Sequence, residues 1–325
     1  LFHATWGRNM PVVVKNLVNI QGSWHPDIFI EECGSDQVTP IDCITDSEIE
    51  HPCTIADYFH AFKEGQFESP RKLKDWPPAE YFRTKLPQFH ESFVGAVPRG
   101  AWDVALPSGV QNLAAFYPLN GNTPDLGPKL YIATGDPGNS HGTTKLHLDV
   151  TDAVNILTYV TPDPARPAAI WHLFPPESLP HLRQYLPTTC QWLEEDGDPI
   201  HSQQIYVTED MCKVLESQYN VHVVRIEQRL SDAVFIPAGW AHQVLNVQNA
   251  IKIACDFVSV QNLSVTASLR SKQREHRIKS GGHGEDVLQL NTLMWHVWQS
   301  LAAYPPPLLS TTEVREDGNQ VSKGS

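Results

Sequence analysis

Two short stretches, far apart in the chain, constrain the fold more than anything else in the sequence. The first is Thr143-Thr144-Lys145-Leu146-His147-Leu148-Asp149-Val150, whose alternating character predicts a β-strand. His147 and Asp149 are two apart, so on a strand both side chains leave the same face. The second is Phe235-Ile236-Pro237-Ala238-Gly239-Trp240-Ala241-His242-Gln243-Val244. It reads as an apolar strand, a tight turn, and a histidine aimed inward at the start of another β-rich run that reaches Val260. The two stretches stand 95 positions apart, which leaves room for several strands between them. A β-barrel or jelly roll, with the two stretches on neighbouring strands, fits that spacing.

Two imidazoles and one carboxylate, with the remaining positions open, is the arrangement that holds non-haem ferrous iron in oxygenases. His147, Asp149 and His242 are therefore the candidate catalytic residues and metal ligands. With fifteen histidines in the chain, His-x-Asp by itself is a weak signal, and the second stretch is what gives it weight. Such an iron leaves three positions. A 2-oxo acid fills two and dioxygen the last, which calls for a cation to hold the far carboxylate of 2-oxoglutarate.

Lys252 lies ten residues past His242, an even number, so on one regular strand the two side chains would share a face. A lysine pointing into a barrel is costly unless paired, and a dicarboxylate supplies the partner; the alternative is a lysine at an exposed strand rim. Thr144 can hydrogen-bond the same carboxylate. Its spacing of three from His147 is odd, so parity opposes this unless a bulge intervenes. Asn155, on the following strand, contacts the cosubstrate or is a satisfied polar core residue. Asp152 is expected in the turn after the ligand strand, and Asp256 in a structural salt link. His172 and His222 are expected in strands, His141 at the entrance, and His181, His201, His276 and His283 at the surface.

The chain has 325 residues, 41% of them hydrophobic, enough for one large domain or two modest ones. A first residue of Leu points to a segment of a longer protein. No run of eighteen apolar residues predicts a membrane span, and no membrane association is expected. The six cysteines contain no Cys-x-x-Cys pair, which argues against a zinc finger and for reduced thiols inside a cell. A net charge of −13 disfavours direct DNA binding and suits a basic partner such as a histone tail.

Local signals place helices at 55–64, capped by Thr54, and at 209–219, capped by Thr208. A helix over 79–94 is expected to break near Pro87, and a short one to begin at Ser178. Strands are expected near 11–20, 38–43, 129–134, 153–161, 168–174, 221–226, 232–236, 243–247 and 251–260. Lys72 to Pro78 reads as an exposed turn, and Ala114 to Tyr117 as the start of the barrel. From Val265 the character is helical, with Leu288, Leu293, Met294, Trp295 and Trp298 on an amphipathic stretch.

The run from Gly142 to Asn155 (GTTKLHLDVTDAVN) resembles the Jumonji C demethylases, and most of all the subfamily acting on mono- and dimethylated lysine nine of histone H3. Leu73-Lys74-Asp75-Trp76-Pro77-Pro78, Asp125-Leu126-Gly127-Pro128-Lys129, Ile170-Trp171-His172, Phe235 to Gly239 and Asp256-Phe257-Val258-Ser259 extend the resemblance over most of Pro11 to Val260. It departs at Trp240-Ala241, where a small residue and proline are more usual, and at Cys255, where an acidic residue is expected.

The resemblance implies a mainly β fold with flanking helices, a double-stranded β-helix (jelly roll, cupin-like). Residues 1–110 would pack on it, 111–260 would form the core with a helical insert near 178–220, 261–303 would be C-terminal helices, and 304–325 a disordered tail. It implies Fe(II), 2-oxoglutarate and O2 as cofactor and cosubstrates, and iron roles for His147, Asp149 and His242. It also supports Thr144 as a cosubstrate contact. The implied activity is histone lysine demethylation by N-methyl hydroxylation and formaldehyde release. A methylated histone tail peptide, chromatin and transcription-regulatory complexes, and the nucleus are the implied partners and location. A side-chain hydroxylase of the same fold and a non-catalytic chromatin module are the rival readings.

Overall fold

The computed structural model describes residues 1–303 apart from 78, 119–120, 122, 137, 139–140, 194–195, 280–285 and 287. The expected disordered tail and His283 lie outside the described residues. Fourteen strands run β1 Val12–Val14, β2 Gln37–Val38, β3 Ile41–Asp42, β4 Ser47–Glu48, β5 Cys53–Thr54, β6 Arg71–Trp76, β7 Lys129–Ala133, β8 Thr144–His147, β9 Asp152–Thr161, β10 Ala169–Phe174, β11 Val224–Gln228, β12 Ala233–Ile236, β13 Ala241–Asn246 and β14 Asn249–Phe257.

Twelve of them form two antiparallel sheets, and β2 and β5 pair separately with each other. The eight-stranded sheet has the order β1-β12-β9-β14-β7-β6-β3-β4, and the four-stranded sheet β11-β10-β13-β8. From β7 onward the chain passes back and forth between the sheets, except that β10 and β11 lie side by side in the small one, which is the jelly-roll pattern of the double-stranded β-helix. β9 and β14 form the centre of the large sheet, paired from Asp152↔Phe257 to Thr161↔Asn249. Their apolar character follows from burial on both faces: Val154, Ile156, Ile251, Ile253 and Phe257 are all fully buried.

The N-terminal region is woven into this sheet. β1 pairs with β12 through Val12↔Phe235, and β6 pairs with β7 through Leu73↔Ile132. The Lys72–Pro78 stretch, expected as an exposed turn, is therefore mostly strand, and Leu73 and Trp76 are only 5% and 8% exposed. The cause is long-range: a backbone that reads as a turn locally finds a strand edge to pair with. Ala114–Tyr117, expected as the start of the barrel, lies instead in and just after a 3-10 helix over Leu113–Phe116, and the sheet strand that follows is β7 at Lys129.

Helices cover the outer faces. Ile55–Glu64 begins at Thr54 with a reciprocal capping box to Asp57 and ends at Gly65 with φ 65°. Its buried face, Ile55, Tyr58, Phe59 and Phe62, packs with Phe29, Phe89 and Trp76 against the large sheet. Leu179–Cys190 and Glu209–Tyr219 enclose a second core over the outer face of the small sheet, joined by Leu146, Leu148 and Phe174. Leu263–Lys279 and Leu290–Ala303 close the fold. In the last helix Leu290, Leu293 and Val297 face inward, whereas Trp295 and Trp298 are more than half exposed. Trp295 is two residues on from Leu293, about 200° around the helix, so one apolar stripe cannot hold both.

No described helix is long and apolar enough to cross a membrane. All six cysteines are free thiols.

Candidate metal centre and cosubstrate cavity

β8 and β13 are neighbours, and His147 on β8 is paired directly with His242 on β13. Their imidazole centroids are 4.1 Å apart. β8 ends at His147, so Asp149 is held by the chain just beyond the strand rather than on it, as a strict two-residue parity would require. Its carboxylate nonetheless lies 3.8 Å from Nε2 of His147 and 3.5 Å from Nε2 of His242. One ligand atom from each of the three falls within 4.8 Å of the others.

Second contacts fix which imidazole nitrogens are available. Nδ1 of His147 is 2.8 Å from the Lys145 carbonyl, and Nδ1 of His242 is 3.0 Å from the Trp240 carbonyl. A carbonyl only accepts, so each Nδ1 carries the proton and donates, leaving the Nε2 lone pairs free beside Asp149. Burial, and the cationic form of neighbouring His147, press the His242 pKa down to about 4. That ring stays neutral at physiological pH, as a metal ligand must. The donor set of two neutral imidazoles and one carboxylate suits a divalent first-row metal.

The triad opens onto a cavity of about 300 Å³ between the sheets. His242, Val244 and Asn246, alternate residues of β13, line one wall; Lys252, Ala254 and Asp256, alternate residues of β14, line the other. Lys252 therefore does not share a strand with His242. The chain turns over Val247-Gln248 between them, so the even spacing along one strand does not explain why both line the cavity. The lysine faces the cavity from the opposite sheet and is 5% exposed. Its Nζ donates to Oδ1 of Asn246 at 2.6 Å and sits 5.7 Å from the Trp171 ring centroid. No acidic side chain among the described residues pairs with it, and burial alone lowers its pKa to about 7. Among the described residues, nothing offsets the charge of this buried amine when it is protonated.

Thr144 lines the same cavity. The parity objection disappears because His242 pairs with His147 while Val244 pairs with Thr144: two steps on β13 against three on β8. That bulge turns Thr144 inward. Asn155, on β9, also reaches the cavity wall, and its Oδ1 accepts a hydrogen bond from Gln228 at 3.3 Å.

Four other expectations differ. Asp152 is not in a turn but is the first residue of β9, fully buried, accepting from Ala238 N, Ser259 N, Ser259 Oγ and Asn262 Nδ2 at 2.6 to 3.0 Å. It ties the turn ahead of His242 to the end of β14. Asp256 forms no salt link among the described residues; it faces the cavity, where burial and the nearby Asp149 carboxylate push its pKa well up. His201, expected at the surface, is only 9% exposed. His222 lies just outside β11, while His172 is buried within β10 as expected.

Sequence reasoning missed Asn246, Tyr131 and Asp75. Asn246 was within reach: it lies four residues past His242 on one strand, hence on the same face. Tyr131, whose hydroxyl donates to Asp75 at 2.9 Å, shares the Asp256 end of the cavity, but its strand and β14 are 120 residues apart in the chain and nothing local pairs them.

Residues 137–257 match the family described as "JmjC domain, hydroxylase". The chain carries a JmjC domain. The match begins just ahead of β8 and ends with β14, so His147, Asp149, His242 and Lys252 all fall inside it. Beyond the JmjC domain the similarity continues through most of the chain. Lysine-specific demethylase 3A of Homo sapiens is 30% identical over 353 residues, covering 93% of this chain and 26% of that protein. Lysine-specific demethylase 3 of Drosophila melanogaster is 31% identical over 344 residues, covering 91% and 40%. Lysine-specific demethylase JMJ29 of Arabidopsis thaliana is 29% identical over 376 residues, covering 90% and 42%. The chain thus spans between a quarter and about two fifths of these relatives' length.

Proposed function

We propose that this chain is an Fe(II)- and 2-oxoglutarate-dependent oxygenase that removes methyl groups from histone lysine, with mono- and dimethylated lysine nine of histone H3 as the preferred target. The observation that carries the reading is the shared cavity: His147, Asp149 and His242 converge at its wall, and an unpaired buried lysine faces it from the other sheet. His147 Nε2, His242 Nε2 and Asp149 would hold the iron, which when bound supplies activation of dioxygen through the cosubstrate. Lys252 anchors the far carboxylate of 2-oxoglutarate by charge-assisted hydrogen bonding, Thr144 adds a hydroxyl, and Asn155 contacts the cosubstrate. The fit of an anion to Lys252 restores the charge balance that burial disturbs.

At the other end of β14 the cavity is acidic. Asp256 and Asp75 lie there with Tyr131 and Lys129. A methylated lysine is a cation, and mono- and dimethyl forms keep an N–H that a carboxylate or phenol oxygen can accept. Strand β14 thus offers a positive group to the cosubstrate and, four residues on, an acidic group to the substrate. The buried walls exclude water from the reacting methyl group. Hydroxylation there gives a hemiaminal that releases formaldehyde. The demethylase names of the similar proteins support the reading, as does the acidic net charge toward a basic tail. Work on chromatin, within transcription-regulatory complexes in the nucleus, follows from it.

The experiment is turnover against a panel of methylated histone peptides, with iron and 2-oxoglutarate each added or withheld. Formaldehyde release that requires both, and that is greatest for dimethylated lysine nine, is the expected result. Stable hydroxylation with no formaldehyde would replace the reading with a side-chain hydroxylase. Peptide binding without turnover, unchanged by His147→Ala, would replace it with a non-catalytic module.

A further inference from the structure

The strand that presents His147 is short and lies at a sheet margin. β8 has four residues and ends the small sheet, with β13 as its neighbour on one side. Between the two strands His147 pairs with His242 and Thr144 with Val244, with a bulge in between. Asp149 lies two residues past the end of β8, so its place also depends on how firmly that strand is held.

The other margin of β8 is covered by a stretch of irregular chain. Leu146 N donates to the Ile205 carbonyl at 2.8 Å, which sets Ile205-Tyr206-Val207 beside the strand. Ile205 and Val207 are buried with Leu146, Leu148 and Phe174 in the core over the outer face of the small sheet. The Tyr206 ring lies against Gly142 so closely that a Cβ there would come within 2.3 Å of it. Gly142 also has φ 72°, so both the space and the backbone conformation call for glycine.

Gln243 holds this stretch in turn. Alternation along β13 puts His242 and Val244 on the cavity side and Gln243 on the opposite one. There its amide takes Val207 at two points. Oε1 accepts from Val207 N at 2.8 Å, and Nε2 donates to Val207 O at 2.6 Å. Nε2 also lies 3.3 Å from Nδ1 of His172, the residue paired with Gln243 on β10. Gln243 and Val207 are both fully buried. A side-chain amide that meets both the N–H and the C=O of one residue serves that residue as a strand partner would, and its loss leaves two buried polar groups unpaired.

We propose that Gln243 is a positioning residue for the metal centre, acting through Val207. Residues 205–207 form a brace along β8, and Gln243 ties that brace to the strand bearing His242. β8 is thereby attached to β13 twice, once directly and once through the brace, and this double attachment fixes the 4.1 Å separation of the His147 and His242 ring centroids. The proposal rests on the iron-binding part of the reading above and not on the identity of the substrate.

The test uses the whole chain with Co(II) as a redox-stable probe. Kd is read by titration, the geometry of the site by the visible absorption of bound Co(II), and stability separately by urea unfolding. Gln243→Met keeps the length of the side chain and removes both bonds to Val207. It should raise the Co(II) Kd about tenfold, part of what two hydrogen bonds contribute, and alter the absorption spectrum. Tyr206→Ala removes the ring from the middle of the brace and leaves the Gln243 bonds in place; it should raise Kd threefold or more. Phe62→Leu, in the core beneath the N-terminal helices, lowers stability far from the brace and should leave Kd within twofold of the parent. A Co(II) Kd within twofold of the parent in Gln243→Met, or in Tyr206→Ala should the methionine variant not fold, overturns the proposal. So does a rise in Phe62→Leu equal to that in Gln243→Met, the mark of a general loosening. Failure of the parent to turn over any methylated peptide removes the demethylase reading and leaves this proposal standing, whereas failure of the parent to bind Co(II) or iron removes both.

Discussion

Replacing Lys252 with methionine should strengthen the cosubstrate-free protein and disable it together. Lys252 is 5% exposed, with no carboxylate partner among the described residues. Its pKa falls from 10.5 to about 7 on folding, which at about 1.36 kcal/mol per tenfold in proton affinity corresponds to about 5 kcal/mol of charge burial. The sign is set by proton binding. Below pH 7 the lysine is charged in both states and the whole cost is present. Between pH 7 and 10.5 the unfolded chain binds the extra proton, so stability rises with pH across that window, and above it the cost is gone. Methionine fills a similar length without charge. Some of the gain is offset by the Asn246 amide, which loses its 2.6 Å donor, at about 1 kcal/mol. A net stabilisation of about 2–4 kcal/mol at pH 6, shrinking toward zero or below by pH 10, is expected from urea unfolding. In the parent, 2-oxoglutarate at a hundred times its Kd should add about 2.7 kcal/mol; in Lys252→Met it should add almost nothing, and its Kd should rise a hundredfold or more. Equal stability of the two proteins at pH 6, together with unchanged 2-oxoglutarate affinity, would refute the reasoning.

The metal centre should fail as a unit: His147→Ala or Asp149→Ala should cut bound iron, measured by elemental analysis after dialysis, to below a tenth of the parent, with activity lost at least a hundredfold. Asp256→Asn removes the acidic acceptor at the substrate end of the cavity; KM for the dimethylated peptide should rise about tenfold while KM for 2-oxoglutarate stays within twofold, and equal effects on both would count against its placement. Asp152→Ala strands four buried donors around one missing carboxylate, so a loss of about 3–5 kcal/mol in urea unfolding is expected, with Asp152→Asn losing less. A loss below 1 kcal/mol for the alanine variant would mean that water replaces the carboxylate.

What was legible in the chain was what short-range chemistry fixes. Thr54 and Thr208 marked their helices to the residue because a side-chain cap is a contact between positions three apart. His147 and His242 could be paired because each sits in a strand with its own local signal. Features made by distant pairing were not legible. The bulge that turns Thr144 inward belongs to the register between β8 and β13, and no property of Thr144 announces it. Lys252 was placed by a parity rule that assumed one strand where there are two. His201 was expected at the surface, and the polar Asp-Gly-Asp-Pro loop ahead of it gives no hint that the helix bearing His276, more than seventy residues on, will cover the ring.

The weave of β1, β6 and β7 into the large sheet bears on how this protein can be dissected. A fragment trimmed to 137–257 would keep His147, Asp149 and His242 but lose the neighbours of β12 on one side and of β14 on the other. Both would then present bare backbone along apolar rows, Val234 and Phe235 at one margin and Ile251 and Ile253 at the other. Such a piece should precipitate on expression, and adding back residues 1–136 on the same polypeptide should restore solubility before any question of chemistry arises.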